Sequence, residues 1–294
     1  MKKIYCLVSC ALCFWLGYGQ VSLSFDFKLQ ENYIIIEANT EFDTLNLIFD
    51  TGSNLSLLDT QIANKMNLIP ENKMQLSVIS GLITGYTTDF ELYNCKNWTI
   101  VNLGSIIKKM NYPIHGLLAA SDLLVNNCVE IDFLARKIYV GKLDSTRLHP
   151  LSYEVNPLVA LNKKTDKGFS KYLPPSPSVN WNVQINNEVR EIDLMIDTGC
   201  GYEVALISND SAVIQDITSY KDFYNTINDT KRQNSYCKIS LPKEPNVIYE
   251  NTPIFYCHYC SSNISGLLGT AFLKRYHKVI LDWPTKRAFF VPYQ

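Results

Sequence analysis

The chain has 294 residues, of which 47% are hydrophobic and 19% charged, and its formal net charge is −1. This composition excludes a disordered chain, and the lack of a basic excess argues against nucleic acid and anionic membrane surfaces as partners. The length suits two domains of modest size, each able to bury a core of its own.

The first 19 residues have the pattern of a secretion signal. Lys2 and Lys3 supply positive charge, residues 4–16 form an apolar stretch too short to span a bilayer, and Gly17 and Gly19 are small residues where a signal peptidase reads the chain. We therefore expect cleavage after Gly19 and export to the periplasm or the extracellular space. A short buried helix, an uncleaved anchor and a lipoprotein processing site remain alternatives.

Removal of residues 1–19 leaves 25 basic against 28 acidic residues, a net charge of −3, and six cysteines. No remaining apolar stretch approaches the ~20 residues that span a bilayer. We therefore expect no membrane contact after signal cleavage, and no nucleic-acid partner.

The six remaining cysteines are an even number, which in an exported chain predicts disulfide bonds. The expected pairs are Cys95 with Cys128, and Cys237 with Cys257 or Cys260. The Cys-x-x-Cys arrangement at 257–260 also permits a metal or redox site, but the sequence offers no second ligand pair for zinc. Structural disulfides are therefore the favoured interpretation, and no metal or cofactor is expected.

Strand patterns dominate the first half of the mature chain. Apolar and polar residues alternate over 21–29, and apolar runs cover 33–37 and 47–49. Two short helical patterns cover 59–67 and 119–125. We therefore expect meanders and hairpins with a few short helices.

A connection between two domains is expected over 141–178. This stretch is rich in lysine and ends in Pro-Pro-Ser-Pro at 174–177, and prolines exclude a central strand. After it, a strand pattern over 181–185 leads into Asn-Asn at 186–187, which has the chemistry of a hairpin turn. A further short helix is expected over 270–275.

The most informative pattern is the tripeptide Asp-Thr-Gly, which occurs twice and ends an apolar run each time, at 50–52 and at 197–199. A Gly-Leu-Leu sequence follows each copy, with Gly116 and Gly266 lying 66 and 69 residues after the respective aspartates. A single copy is usually only a strand followed by a turn. Two copies with matching surroundings indicate an internal duplication.

Further spacings extend the duplication towards the end of each half. Asp132 and Asp282 end apolar strands 82 and 85 residues after the aspartates of the two tripeptides. We interpret these two residues as turn or cap residues, because each ends a strand at a matching place. The duplication predicts an N-terminal domain over 20–147 and a C-terminal domain over 148–294.

These motifs, over nearly all of the mature length, resemble those of the pepsin-like and retropepsin-like aspartic proteases, in the form of a bacterial-type single chain with two Asp-Thr-Gly lobes. The resemblance implies an all-β, bilobal acid-protease fold, with two pseudo-twofold-related β-barrel-like lobes and a few short helices. It also implies that Asp50 and Asp197 meet in a cleft between the lobes. Because one chain supplies both halves, a monomer is expected to suffice.

Two neighbouring carboxylates share one proton and titrate as a pair, which provides an acid and a base together. The ionised member of Asp50 and Asp197 would activate a water for attack on a peptide carbonyl, and the protonated member would donate to the oxyanion and the leaving amine. Which of the two holds the proton is left open by the sequence.

The other residues of the two tripeptides are expected to support the aspartates. Gly52 and Gly199 allow tight turns that bring backbone N–H groups towards the carboxylates. By the resemblance, Thr51 and Thr198 bond across the interface between the halves and hold the two loops together.

The residue after each tripeptide departs from the family pattern. Pepsins carry Ser or Thr there, with a hydroxyl that bonds a catalytic carboxylate, whereas this chain has Ser53 in one half and Cys200 in the other. A thiol is a weak donor, so the ionised form of Asp197 is expected to have less support than that of Asp50. A disulfide at Cys200 is the alternative.

The flap also departs from the pepsin pattern. A hairpin between Leu76 and Leu92 is predicted to close over the substrate. Residues at its tip and along its strands are expected to contact that substrate. Ser80 occupies the place of the pepsin tyrosine, and Tyr86 either substitutes for that tyrosine or is a strand residue. The predicted flap residues are Ser80, Gly81, Leu82, Ile83 and Tyr86.

The sequence therefore favours an exported aspartic endopeptidase that binds extended polypeptide in the interlobe cleft. The alternative is a catalytically inactive peptide- or envelope-binding protein on the same fold. Retention of both aspartates, both threonines and both glycines favours the enzyme, because a binding protein needs none of them in particular.

Overall fold

The computed structural model describes residues 21–78, 81–96, 98–104, 110–142, 153–155, 176–225, 231–241, 248–256 and 264–293. Strands dominate these ranges and the helices are short, so the prediction of an all-β protein is confirmed. No helix in this part of the chain is long and apolar enough to cross a membrane. The predicted signal segment and most of the predicted linker lie outside the described residues.

The described strands of the first half are numbered in chain order. They are β1 (Val21–Gln30), β2 (Tyr33–Asn39), β3 (Thr44–Asp50), β4 (Leu57–Asp59), β5 (Lys73–Val78), β6 (Gly81–Thr88), β7 (Trp98–Val101), β8 (Gly116–Ala119), β9 (Cys128–Asp132) and β10 (Lys137–Gly141). Two helices accompany them, α1 (Thr60–Lys65) and α2 (Ala120–Leu124).

The second half continues the same numbering. Its described strands are β11 (Tyr153–Val155), β12 (Ser178–Ile185), β13 (Glu188–Asp197), β14 (Val204–Ser208), β15 (Tyr220–Asn225), β16 (Lys231–Ser240), β17 (Ile248–Tyr256), β18 (Ser265–Gly269), β19 (Tyr276–Asp282) and β20 (Arg287–Pro292). Its helices are α3 (Ser211–Ile217) and α4 (Thr270–Leu273).

The two halves contain sheets with the same strand order and the same directions. In the first half the order is β2-β3-β8-β4-β7-β6-β5, and in the second it is β12-β13-β18-β14-β17-β16-β15. The strand that ends at each Asp-Thr-Gly lies parallel to the strand of the Gly-Leu-Leu motif, β3 to β8 and β13 to β18. The repeated sequence motifs therefore occupy equivalent places in the two sheets.

A shared layer of strands, β10-β9-β19-β20, joins the halves. Its central contact is the antiparallel pair of β9 and β19, in which Asp132 lies opposite Lys278. The Lys278 ammonium lies 2.6 Å from Oε1 of Glu130 and 3.0 Å from Oδ2 of Asp132. Because two carboxylates from one half share a cation from the other, this cluster links the halves electrostatically.

The interpretation of Asp132 and Asp282 as turn residues agrees with their contacts. Oδ1 of Asp132 accepts from the N–H of Ala135 at 2.7 Å, and Oδ2 of Asp282 accepts from the Thr285 hydroxyl. Burial raises the pKa of Asp132, but the Ala135 N–H and the Lys278 ammonium outweigh it and leave that pKa below its ordinary value.

The predicted short helices are present with slightly different bounds. The pattern over 59–67 forms α1, with Asp59 as its N-cap, and the patterns over 119–125 and 270–275 form α2 and α4. The predicted turn at 186–187 connects β12 to β13 with positive φ at both residues, as a tight hairpin requires. Helix α3 was not predicted, although Asp210 provides an N-cap signal in the sequence.

The prediction that Cys95 pairs with Cys128 is wrong. Both residues are buried free thiols, and they belong to different apolar clusters, around Trp98 and Ile280 respectively. Cys237 is also a free thiol, and its two predicted partners lie outside the described residues. Burial raises the pKa of Cys95 and of Cys237 to about 12, so both thiols stay protonated at neutral pH.

Candidate active site

The two Asp-Thr-Gly loops lie at the ends of β3 and β13, and close packing of neighbouring strands places them there. A methyl group on Gly116 would lie 2.3 Å from the carbonyl oxygen of Leu57, and one on Gly266 would lie 2.9 Å from the carbonyl oxygen of Ala205. Only glycine lets β8 and β18 pass this close to the adjacent strands. The glycine of each Gly-Leu-Leu motif is therefore required for the close strand packing beside the two loops.

The threonines of the two tripeptides bond reciprocally across the halves. The Thr51 hydroxyl donates to the carbonyl oxygen of Ile196 at 2.6 Å and accepts from the N–H of Thr198 at 3.1 Å. The Thr198 hydroxyl donates to the carbonyl oxygen of Phe49 at 2.6 Å and accepts from the N–H of Thr51 at 3.0 Å. These four bonds involve buried groups, so each hydroxyl satisfies one donor and one acceptor that have no access to water. These four hydrogen bonds cross the interface between the halves, as the resemblance implied for Thr51 and Thr198.

The glycines bring each aspartate against the opposite loop. A methyl group on Gly52 would lie 2.5 Å from Cγ of Asp197, and one on Gly199 would lie 2.3 Å from Oδ2 of Asp50. Each carboxyl group therefore rests on the backbone of the loop from the other half, and the two carboxyl groups are close enough for each to influence the pKa of the other. The sequence had assigned these glycines to tight turns; the structure adds that they make room for the opposite carboxylates.

The two aspartates differ in their surroundings. Both are almost fully buried, with 8% of Asp50 and 7% of Asp197 exposed, and burial raises both pKa values. Oδ1 of Asp50 accepts from the N–H groups of Gly52 at 2.7 Å and Ser53 at 3.1 Å, which stabilises its ionised form.

Burial, and after it the charge of Asp50, holds the pKa of Asp197 well above its ordinary value and outweighs the lowering effect of the Gly199 and Cys200 N–H groups. Its Oδ1 atom is buried and accepts no hydrogen bond from the described part of the chain. An unpaired buried oxygen is less costly on a neutral carboxyl than on a carboxylate. These surroundings favour the shared proton on Asp197 and the negative charge on Asp50.

The residue after each tripeptide does not bond the carboxylate through its side chain. The Ser53 hydroxyl donates to the carbonyl oxygen of Leu55 at 2.8 Å, so only the Ser53 backbone supports Asp50. This corrects the expectation from the pepsin pattern. Cys200 is a buried free thiol packed against Ala205 and Leu267, and the disulfide alternative is wrong.

Burial, and after it the charge of Asp197, raises the pKa of Cys200 to about 12. The side chain is therefore a neutral apolar group at working pH, and it adds no cation or strong donor to the site.

The predicted flap is a hairpin of β5 and β6, in which Ser77 lies opposite Leu82 and Val78 opposite Gly81. Ser80 lies outside the described residues, as do the side chains of Gly81 and Leu82. Ile83 packs in an apolar cluster with Leu55 and Leu57, which follow the Asp50 loop.

Tyr86 is 39% exposed and pairs across the sheet with Lys73 and Ile100. Since side chains alternate along a strand, it projects from the face of β6 opposite to Ile83. Of the two hypotheses for Tyr86, the contacts in the described ranges favour the strand residue.

Sequence reasoning missed three residues that touch the loops. Thr270 donates its hydroxyl to the carbonyl oxygen of Thr198 at 3.0 Å, and the Tyr33 ring lies 3.2 Å from where a methyl on Gly201 would be. Ser176 contacts the Asp50 loop from the end of the predicted linker. Thr270 directly follows the second Gly-Leu-Leu-Gly, which is a usable signal; nothing near the other two marks them.

A scan of the sequence against models of protein families finds no match, and a search of curated proteins finds none that is significantly similar. In the described ranges no group of three or more histidine, cysteine or acidic side chains is placed to hold a metal ion. Interpretation of the site therefore depends on its geometry.

Replacing Thr51 with valine tests the reciprocal threonine bonds. The valine keeps the shape but leaves the Ile196 carbonyl and the Thr198 N–H buried and unpaired, so we expect a loss of about 2–4 kcal/mol in the free energy of unfolding. Urea denaturation measures this loss. Thr51→Ser, which keeps the hydroxyl, should lose far less. No loss in Thr51→Val, together with a loss in Thr51→Ser, would show that the methyl group, and not the bonds, stabilises the loops.

Proposed function

We propose that the protein is an aspartic endopeptidase that hydrolyses peptide bonds with a water activated between Asp50 and Asp197. The observation that carries this proposal is the pair of carboxyl groups, each resting on the glycine of the opposite loop and each loop locked by a threonine from the other half. A binding protein has no need for two buried carboxyl groups that share a proton, which costs stability.

The asymmetry of the pair gives each aspartate a role. Asp50, supported by two N–H groups, is the base that takes a proton from the attacking water. Asp197, with its raised pKa, is the acid that donates to the developing oxyanion, and the proton taken by Asp50 then goes to the leaving amine. The reaction needs no cofactor, because both protons and the nucleophile come from the carboxyl pair and water.

The surroundings support an extended polypeptide as the substrate. Leu55, Leu57 and Ile83 form an apolar surface after the Asp50 loop, and Tyr202 after the Asp197 loop packs against Phe255 with ring centroids 5.8 Å apart. Apolar and aromatic surfaces on the two sides of the pair favour apolar side chains in the substrate.

The proposal includes a bilobal acid-protease fold, with lobes over 20–147 and 148–294 related by a pseudo-twofold axis. The matching strand orders and the reciprocal loop contacts support it. It also includes export after cleavage of residues 1–19 and action as a monomer, since one chain supplies both loops.

Hydrolysis of a mixed peptide library from about pH 3 to 8, followed by mass spectrometry, tests the proposed function. The wild type is expected to cleave, and Asp50→Asn to lose about 10²–10⁴-fold of the rate, because the base is gone. Asp89→Asn, the same substitution at an exposed site, should cleave like the wild type. Equal products from the wild type and Asp50→Asn, or none from either, would reject the enzyme; retention of intact peptides would then favour the inactive binding protein.

A further inference from the structure

Ser176, at the end of the predicted linker, lies against the first Asp-Thr-Gly loop. Its side chain comes from the second half of the chain and only 5% of the residue is exposed. Its Oγ atom lies 3.0 Å from the carbonyl oxygen of Gly52 and 2.7 Å from Oδ1 of Asn54. A hydroxyl is therefore buried on the backbone that carries Asp50.

The Gly52 carbonyl that Ser176 contacts belongs to the same peptide unit as the N–H of Ser53. That N–H donates to Oδ1 of Asp50 at 3.1 Å. Hydrogen bonds in series polarise one another, so donation to the carbonyl end of a peptide strengthens donation from its N–H end. The Ser176 hydroxyl, the Gly52–Ser53 peptide and the Asp50 carboxylate thus form one chain of hydrogen bonds.

Asn54 completes this chain at its far end. A serine hydroxyl has one proton, which can serve either the Gly52 carbonyl or the Asn54 side-chain oxygen fully, but not both. Turning the Asn54 amide end for end places an N–H donor on the Ser176 oxygen and leaves the hydroxyl proton for Gly52. The Ser176 hydroxyl then both accepts and donates a hydrogen bond, and both donors point towards the loop that carries Asp50.

The residue after Ser176 contacts the strand of the other aspartate. The carbonyl oxygen of Pro177 accepts from the N–H of Ile196 at 2.8 Å, directly before Asp197. Two consecutive residues therefore touch the backbones of both loops, and they fix the register of one against the other.

We propose that Ser176 is a positioning residue of the carboxyl pair, which acts on Asp50 through the Gly52–Ser53 peptide. This inference rests on the proposed function and adds to it a residue outside both sequence motifs. The described titratable groups that face Asp50 are Asp197 and Cys200, both from the second loop. Neither is altered by a change at Ser176, so the effect of the hydroxyl can be separated from theirs.

The experiment compares the pH dependence of kcat/KM for the wild type, Ser176→Ala and Ser176→Thr. Loss of the hydroxyl weakens the support of ionised Asp50, so the acid limb of Ser176→Ala should move upward by roughly 0.3 pH unit. We expect kcat near the acid limb to fall about twofold with KM unchanged, because substrate contacts are kept. Ser176→Thr, which keeps the hydroxyl, should restore the wild-type profile.

Ser22→Ala is the matched control, because the Ser22 hydroxyl also donates to a carbonyl oxygen at 3.0 Å, that of Val140, far from the pair. It should leave the profile in place. If Ser176→Ala folds poorly, Ser176→Cys replaces it, since a weak thiol donor in the same volume should move the limb in the same direction. An unmoved acid limb in an active Ser176 variant would overturn the inference, whereas absence of cleavage by the wild type would reject the proposed function itself.

Discussion

Replacing Asp197 with asparagine is expected to remove peptide hydrolysis and, at neutral pH, to raise the melting temperature. Asparagine cannot supply the proton that the developing oxyanion requires, so the rate should fall about 10²–10⁴-fold. The same change removes a buried acid whose ionisation the folded state opposes, and we expect about 1 kcal/mol of added stability, a rise of roughly 2–4 °C.

The stability gain of Asp197→Asn depends on pH in a defined direction. The folded-state pKa of Asp197 lies well above its ordinary value of 3.8. The protonated Asp197 carboxyl group therefore contributes fully to the stability of the wild type below pH 3.8, and this contribution is lost as the pH rises through the folded-state pKa. Melting temperatures should therefore coincide near pH 3 and separate as pH rises towards 7, with the variant higher.

Thermal unfolding of the wild type and Asp197→Asn at several pH values measures the effect. Asp89→Asn, at an exposed position, should follow the wild type at every pH. A variant that melts below the wild type at pH 7 would contradict the assignment of the shared proton to Asp197.

Replacing Gly199 with alanine is expected to have the next largest effect. The added methyl would lie 2.3 Å from Oδ2 of Asp50, well inside van der Waals contact, so the Asp50 carboxyl must move by about 1 Å. Misplacement on this scale costs about 10²-fold in rate, and the overpacking should cost about 1–3 kcal/mol in stability.

The symmetric variant, Gly52→Ala, should act on the other carboxyl group, because its methyl would lie 2.5 Å from Cγ of Asp197. Gly104→Ala is the control, since among the described residues its methyl would meet only the side chain of Asn102, at 3.0 Å. Kinetics, with circular dichroism as a check of the fold, distinguishes the three. Full activity in Gly199→Ala would mean that the carboxyl pair does not have the geometry described.

The first prediction depends on the different surroundings of the two aspartates. The N–H groups of Gly52 and Ser53 donate to Asp50. At Asp197, burial and the charge of Asp50 outweigh the nearby backbone N–H groups, and Oδ1 has no donor in the described part of the chain. The neutral thiol of Cys200 does not change this balance, because burial keeps it protonated. Cys200, where the sequence departs from the pepsin-like pattern, is therefore compatible with the proposed acid at Asp197 and the proposed base at Asp50.

Several features of the protein could be predicted from the sequence alone. Alternation of apolar residues predicted the strands, and the Asp-Thr-Gly repeat predicted that Asp50 and Asp197 end equivalent strands in two matching sheets. Both are local or periodic patterns, set by the alternation of side chains along a strand and by turn chemistry, so a linear sequence records them directly.

Other features were decided only by the tertiary structure. The pairing of Cys95 with Cys128 failed because an even count of cysteines does not show which apolar cluster buries each thiol. The raised pKa of Asp197 and the contact of Ser176 with Gly52, 124 residues apart, depend on burial and on contacts between distant segments. Such contacts arise when the two halves meet, and no spacing along the chain encodes them.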